Sequence, residues 1–283
     1  MPPRRQPPTI GHRRLAGELL ALRGERTRDQ VSADTGLSTG ALFRIEKAQV
    51  RPQKRTLVQL LDYYGVTDAA QRAELLELLR RSRQLQWLTL FEDNLPQSYQ
   101  HFISFEAEAY RISDYEGHFV PGLLQTQAYA ESVIRALMPE AADEEISRRV
   151  EVRIRRQDVL KKSPPLRLWA ILDEGAIRRE VGSVELHRNQ LRHLSESMRS
   201  PNITLQVIPF RAGAHVGMPG TFQVLEFAEP DPPMVYTENA GGGLFLEADP
   251  DVIRYRDSFQ RLAAQALSPD ESKKMIEDLA KAA

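Results

Sequence analysis

Between positions 28 and 55 the chain places six cationic side chains: Arg28, Arg44, Lys47, Arg51, Lys54 and Arg55. A guanidinium is a planar fork of donors that fits guanine O6 and N7, or a phosphate, through two bonds at once. An ammonium is a point charge suited to phosphate alone. The chemistry open to this set is non-covalent recognition of a polyanion. The net charge of -1 hides an asymmetry: residues 1–90 hold 16 Lys and Arg against 9 Asp and Glu, a balance of +7, and the remainder holds 22 against 30, or -8. Only the basic head is suited to nucleic acid.

Other chemistries have weaker footing. The chain has no cysteine, which excludes disulfides, thiolate zinc sites and cysteine nucleophiles. His12, His101, His118, His187, His193 and His215 are scattered without the i, i+4 spacing of a helical metal pair, so no metal site is expected. Asp173 and Glu174 can form an acid-base pair or can cap a helix and complement its dipole, and capping is the expectation. Gly241, Gly242 and Gly243 lack the lysine of a P-loop and are expected to form a turn. Arg211–Gly220, with His215 and three glycines, is expected to be an inter-strand loop, with a ligand pocket as the alternative. No nucleophile, base and orienting group recur at a recognisable spacing, so neither an enzyme nor a bound cofactor is expected.

The elements that position the cations follow from apolar period and capping residues. Leu15, Leu19 and Leu22 lie on one face of a first helix that ends near Gly24. Thr27 and Gln30 form a capping box opening a second helix, Arg28 to Thr35. Gly36 can close that helix, Leu37 can plug the corner, and Ser38 can cap a third segment from Thr39 to about Lys47. Leu42 and Ile45 turn inward there, leaving Thr39, Gly40, Phe43 and Arg44 free to meet base edges in a major groove. Arg44 is the best base reader and Thr39 offers a hydroxyl or methyl. Phe43 either touches a thymine methyl or packs on the neighbouring helix. Arg28, at a helix N-terminus with Thr27, is the best phosphate contact. Ser38, Lys47 and the basic loop residues Arg51, Lys54 and Arg55 are expected along the flanking backbone. Thr56 is expected to cap a fourth helix that turns Leu57, Leu60, Leu61 and Tyr64 inward, and Asp68–Arg83 supplies a fifth.

The resulting organisation is an extended basic arm over residues 1–10, an all-α five-helix domain over 11–90, and an α+β domain over 91–283, with a linker around Glu92 to Gln100. Helical stretches are expected at Phe102–Tyr115, Thr126–Leu137, Asp143–Lys161, Val184–Arg199, Asp251–Leu267 and Glu271–Ala280. Strands are expected at Leu166–Leu172 and in ITLQVIPF, TFQVLEF, PMVYTE and GLFLE. The arginine-dense helix Arg148–Arg156, interleaved with Glu144, Glu145, Glu151 and Asp158, is expected to be solvated or dimer-facing. No apolar run approaches the roughly 18 residues needed to cross a bilayer, and the first ten residues lack a signal-peptide core, so a cytoplasmic, nucleoid-associated location without membrane contact is expected.

The segment TRDQVSADTGLSTGALFRIEKAQVRP resembles the Xre-type, lambda-repressor-like helix-turn-helix signature, departing from it at Ser32, Gly40 and Phe43. In that family the residue matching Glu46 is structural and pairs with a nearby basic residue. VPGLLQTQAYA, RRVEVRIRRQ, ILDEGAIRREVG, QVIPFRAGAHVGMPGTFQVLEF and ALSPDES extend the likeness to actinobacterial WhiJ-like, antitoxin-like regulators. The resemblance implies double-stranded DNA as partner and a small BldB-like protein as a further one; a homodimer is expected so that two recognition helices meet half-sites ~34 Å apart. Two roles stay open: a DNA-binding transcriptional regulator with a sensing, dimerising or partner-binding C-terminal domain, and an antitoxin-like interaction protein that autoregulates through its head.

Overall fold

Helix α1 (Ile10–Arg23) starts where the Thr9 hydroxyl accepts the His12 N–H at 3.0 Å. Thr9 and Ile10 are therefore a cap and a buried first turn, not the end of an extended arm. The computed structural model describes residues 9–81, 87–88, 90–91, 95–239 and 242–282. Residues 1–8 of the expected arm lie outside these. The chain divides into two units, Met1–Asp93 and Asn94–Ala283.

The first unit is helical. Helices α2 (Arg28–Thr35) and α3 (Thr39–Glu46) are followed by α4 (Lys54–Tyr63) and α5 (Ala69–Arg81). The core is aliphatic, with Leu15 and Leu19 of α1 meeting Val31, Leu42, Ile45, Leu57, Leu60 and Leu61, and Leu37 half-buried at the corner. Helix α4 starts earlier than expected. Pro52 holds an extended entry, Gln53 occupies the cap without a side-chain bond, and Thr56 falls inside the first turn. Lys54 and Arg55 therefore open a helix instead of lying in a loop. Helix α3 ends on a left-handed residue, Ala48 at φ 51°, with the Gln49 N–H donating to Arg44 O at 2.8 Å and the Ala48 N–H to Ile45 O at 3.0 Å. This is a Schellman close built on alanine, where glycine is usual.

The second unit is α+β, as expected. Helix α6 (Gln97–Glu108) leads into β1 (Arg111–Glu116); α7 (Gln127–Leu137) and α8 (Asp143–Arg156) precede β2 (Arg167–Asp173), and α9 (Glu174–Arg178) and α10 (Val184–Ser197) precede β3 (Ile203–Ile208). Strands β4 (Phe222–Glu226), β5 (Met234–Asn239) and β6 (Gly242–Leu246) come next, with α11 (Asp249–Gln265) and α12 (Pro269–Ala282) closing the unit. The six strands run in the order β3-β2-β1-β4-β5-β6; β1, β2 and β3 are parallel and the rest antiparallel. Helix α11 covers an apolar cluster of Ile171, Val224, Val235, Phe259 and Leu262. Edge strand β3 is blocked by the turn into α12, where the Val207 N–H donates to Ser272 Oγ and the Leu267 N–H to Val207 O, each at 2.9 Å.

Three expectations fail here, the first being the glycine turn: Gly242 and Gly243 open β6 and pair with Asn239 and Glu238. Phe102–Tyr115 is not one helix: α6 stops at Glu108 and the following residues form β1 near the middle of the sheet. Asp114 is buried, so the strand lacks the apolar alternation that marks its neighbours, and pairing on both edges decides its conformation. The linker is shorter than expected, since Pro96 is the N-cap of α6 and Gln97–Gln100 are helical; residues 92–94 lie outside the described set, as does Gly241 of the glycine run.

His12 gives a pH signature. Burial, reinforced by the Arg51 charge, lowers its pKa from 6.5 to about 4. The unfolded chain binds the extra proton between those values, so this contribution to stability is intact above pH 6.5 and lost as pH falls toward 4. We expect urea melts of the helical unit to lose about 2 kcal/mol between pH 7 and pH 5. His12→Leu should flatten that dependence, and a variant with the wild-type slope would remove His12 as its cause.

Candidate nucleic-acid interface

The helix-turn-helix corner is built by three caps. Thr27 Oγ1 accepts the Gln30 N–H at 3.2 Å while Gln30 Oε1 accepts the Thr27 N–H at 2.8 Å, the reciprocal box read from the sequence. Gly36 closes α2 at φ 72°, a left-handed position where a Cβ would be strained. Ser38 Oγ then accepts the Ala41 N–H at 3.2 Å and starts α3. Helix α4 braces α2 from behind, as Gln59 Nε2 donates to Thr35 O and the Tyr63 hydroxyl to Asp34 Oδ2, both at 2.7 Å.

Because α3 buries Leu42, Ile45 and Glu46, its remaining face is open. Thr39, Gly40, Phe43 and Arg44 stand there and, with Thr27 and Arg28 of the second helix start, line one open concavity of about 560 Å³. Arg23 and Asp29 complete it, so three arginines face one carboxylate. The structure thus brings together all four proposed base readers and two of the proposed phosphate contacts.

Glu46 fixes this arrangement. Its carboxylate, 3% exposed, accepts Arg23 Nε at 2.6 Å and Arg28 Nε at 2.7 Å, joining the end of α1, the start of α2 and the end of α3. Tyr64 packs close by, and its hydroxyl is pushed up to about 12 by burial and by the Glu46 charge. Arg28 is therefore partly committed: its Nε serves Glu46 and its guanidinium lies over the Phe43 ring, 5.1 Å from the centroid. One third of its side chain still faces solvent. Phe43 packs against that arginine while remaining 41% exposed, so contact with the neighbouring helix and an outward-facing ring coexist.

The remaining cations lie elsewhere on the unit. Lys47 is the exposed C-cap of α3, where a cation also complements the helix dipole. Lys54 and Arg55 are exposed on the first turn of α4, at the positive end of a helix with no acidic residue in that turn. Arg51 is half-buried near His12. Sequence reasoning missed Arg23; the available signal was the buried carboxylate at Glu46, which needed more positive charge than Arg28 alone supplies.

In the second unit, Asp173 caps α9 by accepting the Gly175 N–H at 2.7 Å. Its other oxygen lies 3.2 Å from His215 Nε2, and the His215 loop lines a recess with Tyr115 and Asp173. Glu174 does more than complement a dipole, since it pairs with Arg178 and accepts the Phe210 N–H at 2.7 Å. The arginine-dense helix is not wholly solvated. Arg149 and Arg155 make the expected i, i+4 pairs, but Arg156 is buried on Glu106, with Nε and Nη2 donating at 2.8 and 2.7 Å. Arg153 also turns inward, onto Gln125.

Five helices with a capped corner and an open cationic face define a DNA-binding helix-turn-helix module, and residues 14–75 match a family described as a helix-turn-helix domain. Residues 99–278 match a domain of unknown function (DUF5753), and this covers well over half of the sequence, so the chain belongs to that family. No curated protein matches it. No helix among the described residues is long and apolar enough to cross a membrane.

Removing the Glu46 carboxylate leaves two arginines facing each other. Glu46→Ala should destabilise the helical unit by about 2–3 kcal/mol, below the range for a fully buried pair because Arg28 is partly solvated. Chemical denaturation measures this, and a loss under 0.5 kcal/mol, roughly the scale of a surface substitution, would show that the clamp is dispensable.

Proposed function

We propose that the protein is a transcriptional regulator of the Xre type that binds duplex DNA through α3. The observation that carries this is the concavity in which Thr39, Gly40, Phe43 and Arg44 stand beside Arg23 and Arg28 on a corner locked by Glu46. In this reading α3 enters the major groove, Arg44 binds a guanine edge through two donors, and Thr39 contacts a neighbouring base. Thr27, Arg28 and Ser38 lie at helix starts, where free N–H groups and the dipole favour a phosphate. Lys47, Arg51, Lys54 and Arg55 add sequence-independent affinity along the flanking strands.

The finer assignments belong to the same proposal. Membership of the WhiJ-like group is supported by the motifs spread along both units. A homodimer is proposed because two half-sites supply the specificity that one short helix lacks. The DUF5753 unit is assigned sensing or partner binding and no catalysis. A small partner that co-purifies in stoichiometric amount would turn the reading toward an antitoxin-like role.

The test is duplex binding by the full chain on a mapped operator and on random DNA across a salt series. Arg44→Ala should weaken operator binding by ~1–3 kcal/mol and leave random DNA little changed; equal losses on both would remove Arg44 from base readout. Arg55→Gln should weaken both and reduce the log-log salt slope by about 0.9. A salt slope identical to that of the wild type would take Arg55 off the phosphate backbone.

A further inference from the structure

The two edges of the six-stranded sheet differ. At β3 the outer edge is occupied, since Val207 donates to Ser272 Oγ and accepts the Leu267 N–H. At β6 the inner side pairs with β5, and among the described residues no backbone hydrogen bond outside that ladder reaches the strand. An edge strand leaves alternate N–H and C=O groups unpaired, a template for another strand, and folded proteins blunt it with charge, proline, a bulge or a covering segment. The strand GGLFL holds neither charge nor proline. Its register with β5 runs unbroken from Gly242 to Leu246, so no bulge turns the edge away.

The side chains of β6 divide between two faces. Gly243 and Phe245 lie on the α6 face, where the Phe245 ring is held 5.1 Å from that of Phe105 and 5.0 Å from that of Tyr236. Gly242, Leu244 and Leu246 lie on the α11 face. Leu246 packs there against the apolar cluster, but Leu244 stays 56% exposed. An exposed leucine by itself is ordinary. At the centre of a bare, uncharged strand edge it has the chemistry of a surface for strand addition.

The strand is also complementary to itself. Antiparallel pairing of two copies about Leu244 is the register that uses all five residues. It sets Leu244 against Leu244 on a two-fold axis, Gly243 against Phe245 of the second copy, and Gly242 against its Leu246. Phe245 and Leu246 thus each face a glycine, where a neighbouring backbone can approach closely, and no like charges meet. Residues opposed in this way share a face of the joined sheet, so the apolar α11 faces of the two copies become continuous.

We infer that β6 is the homodimer surface of this protein, two copies joining their sheets through antiparallel β6 strands with the two-fold axis at Leu244. The occupant is a second copy because the match of glycine to phenylalanine and leucine arises when this strand meets itself in reverse. A ladder of five residues buries less than a standard interface, so the free dimer is weak and simultaneous binding of two half-sites reinforces it. The pairing rests on the homodimer of the regulatory reading and deepens it by naming the surface, but its formation needs no DNA.

The test is sedimentation equilibrium of the full chain without DNA. The wild type should dimerise with a Kd of about 100 µM or tighter. Leu244→Lys and Leu244→Glu each set like charges against one another across the axis and should weaken the dimer about fivefold or more. An equimolar mixture of the two variants sets lysine against glutamate and should recover association to within about threefold of the wild type, which misfolded variants could not do. A wild-type chain still monomeric at about 300 µM, a dimer untouched by both charges, or a mixture no tighter than either variant alone would overturn the assignment. A chain that dimerises in this way without salt-sensitive duplex affinity would instead overturn the DNA-binding role and leave the pairing standing.

Discussion

The geometry of the helix-turn-helix depends on one buried carboxylate. Glu46 sits at the last turn of α3 and is met by the side chains of Arg23 and Arg28, which come from the end of one helix and the start of another. Aliphatic packing alone would hold three short helices together but leave their mutual angles soft, because hydrophobic contact is non-directional. Two charge-assisted bonds to a single nearly water-free carboxylate are directional, and they fix the positions of three chain segments at once. The open face of α3 inherits that precision. The arrangement also places positive charge where a polyanion would arrive, since the arginines that neutralise Glu46 line the concavity beside Arg44.

The second unit uses the same device at a different place. The guanidinium of Arg156 reaches from α8 to Glu106 of α6, and both partners are almost fully buried. A buried pair of this kind contributes little net stability compared with apolar packing, but removing one partner strands the other charge. It therefore fixes which faces of α6 and α8 look at each other. Arg153 and Glu116 line a recess of about 490 Å³ beside this pair. The sheet supports the arrangement from below, as β1 pairs in parallel with β2 and antiparallel with β4, so its polar face is held rigidly from both sides.

Local signals in the sequence carried most of the first unit. Thr27 with Gln30, then Gly36 and Ser38, specify caps through bonds that span three or four residues, and each cap forms as read. The outward set on α3 follows from helical period once Leu42 and Ile45 are placed inside. The errors fall where the determining contact is distant in sequence. Strand β1 carries a buried aspartate that hides its alternation, and its partners arrive more than fifty residues later. Thr56 has the chemistry of a cap, but Pro52 sets the helix entry upstream of it. The i, i+4 glutamates visible in the sequence direct the arginines of this helix, Arg156 among them, to solvent or a dimer face, whereas Glu106 lies fifty residues away. The expected strands β2 to β6 have unbroken apolar patterns and were legible for that reason.

Gly40 and Arg44 show how a sequence departure can itself be part of the site. Long helical side chains lean back over the preceding turn, and Arg44 does so here: a Cβ added at Gly40 would lie 3.4 Å from its Nη1. The absence of a side chain at position 40 thus gives the guanidinium a bare stretch of helix to lie on. In the proposed readout Arg44 would leave the helix surface to reach a guanine, and because its contact with Gly40 is slight the movement opposes binding only weakly. The Phe43 ring on the adjacent position is held by Arg28 and stays outward. Under the proposed function, position 40 offers no side-chain base contact, and sequence discrimination on this helix falls to Arg44, Thr39 and the exposed edge of Phe43.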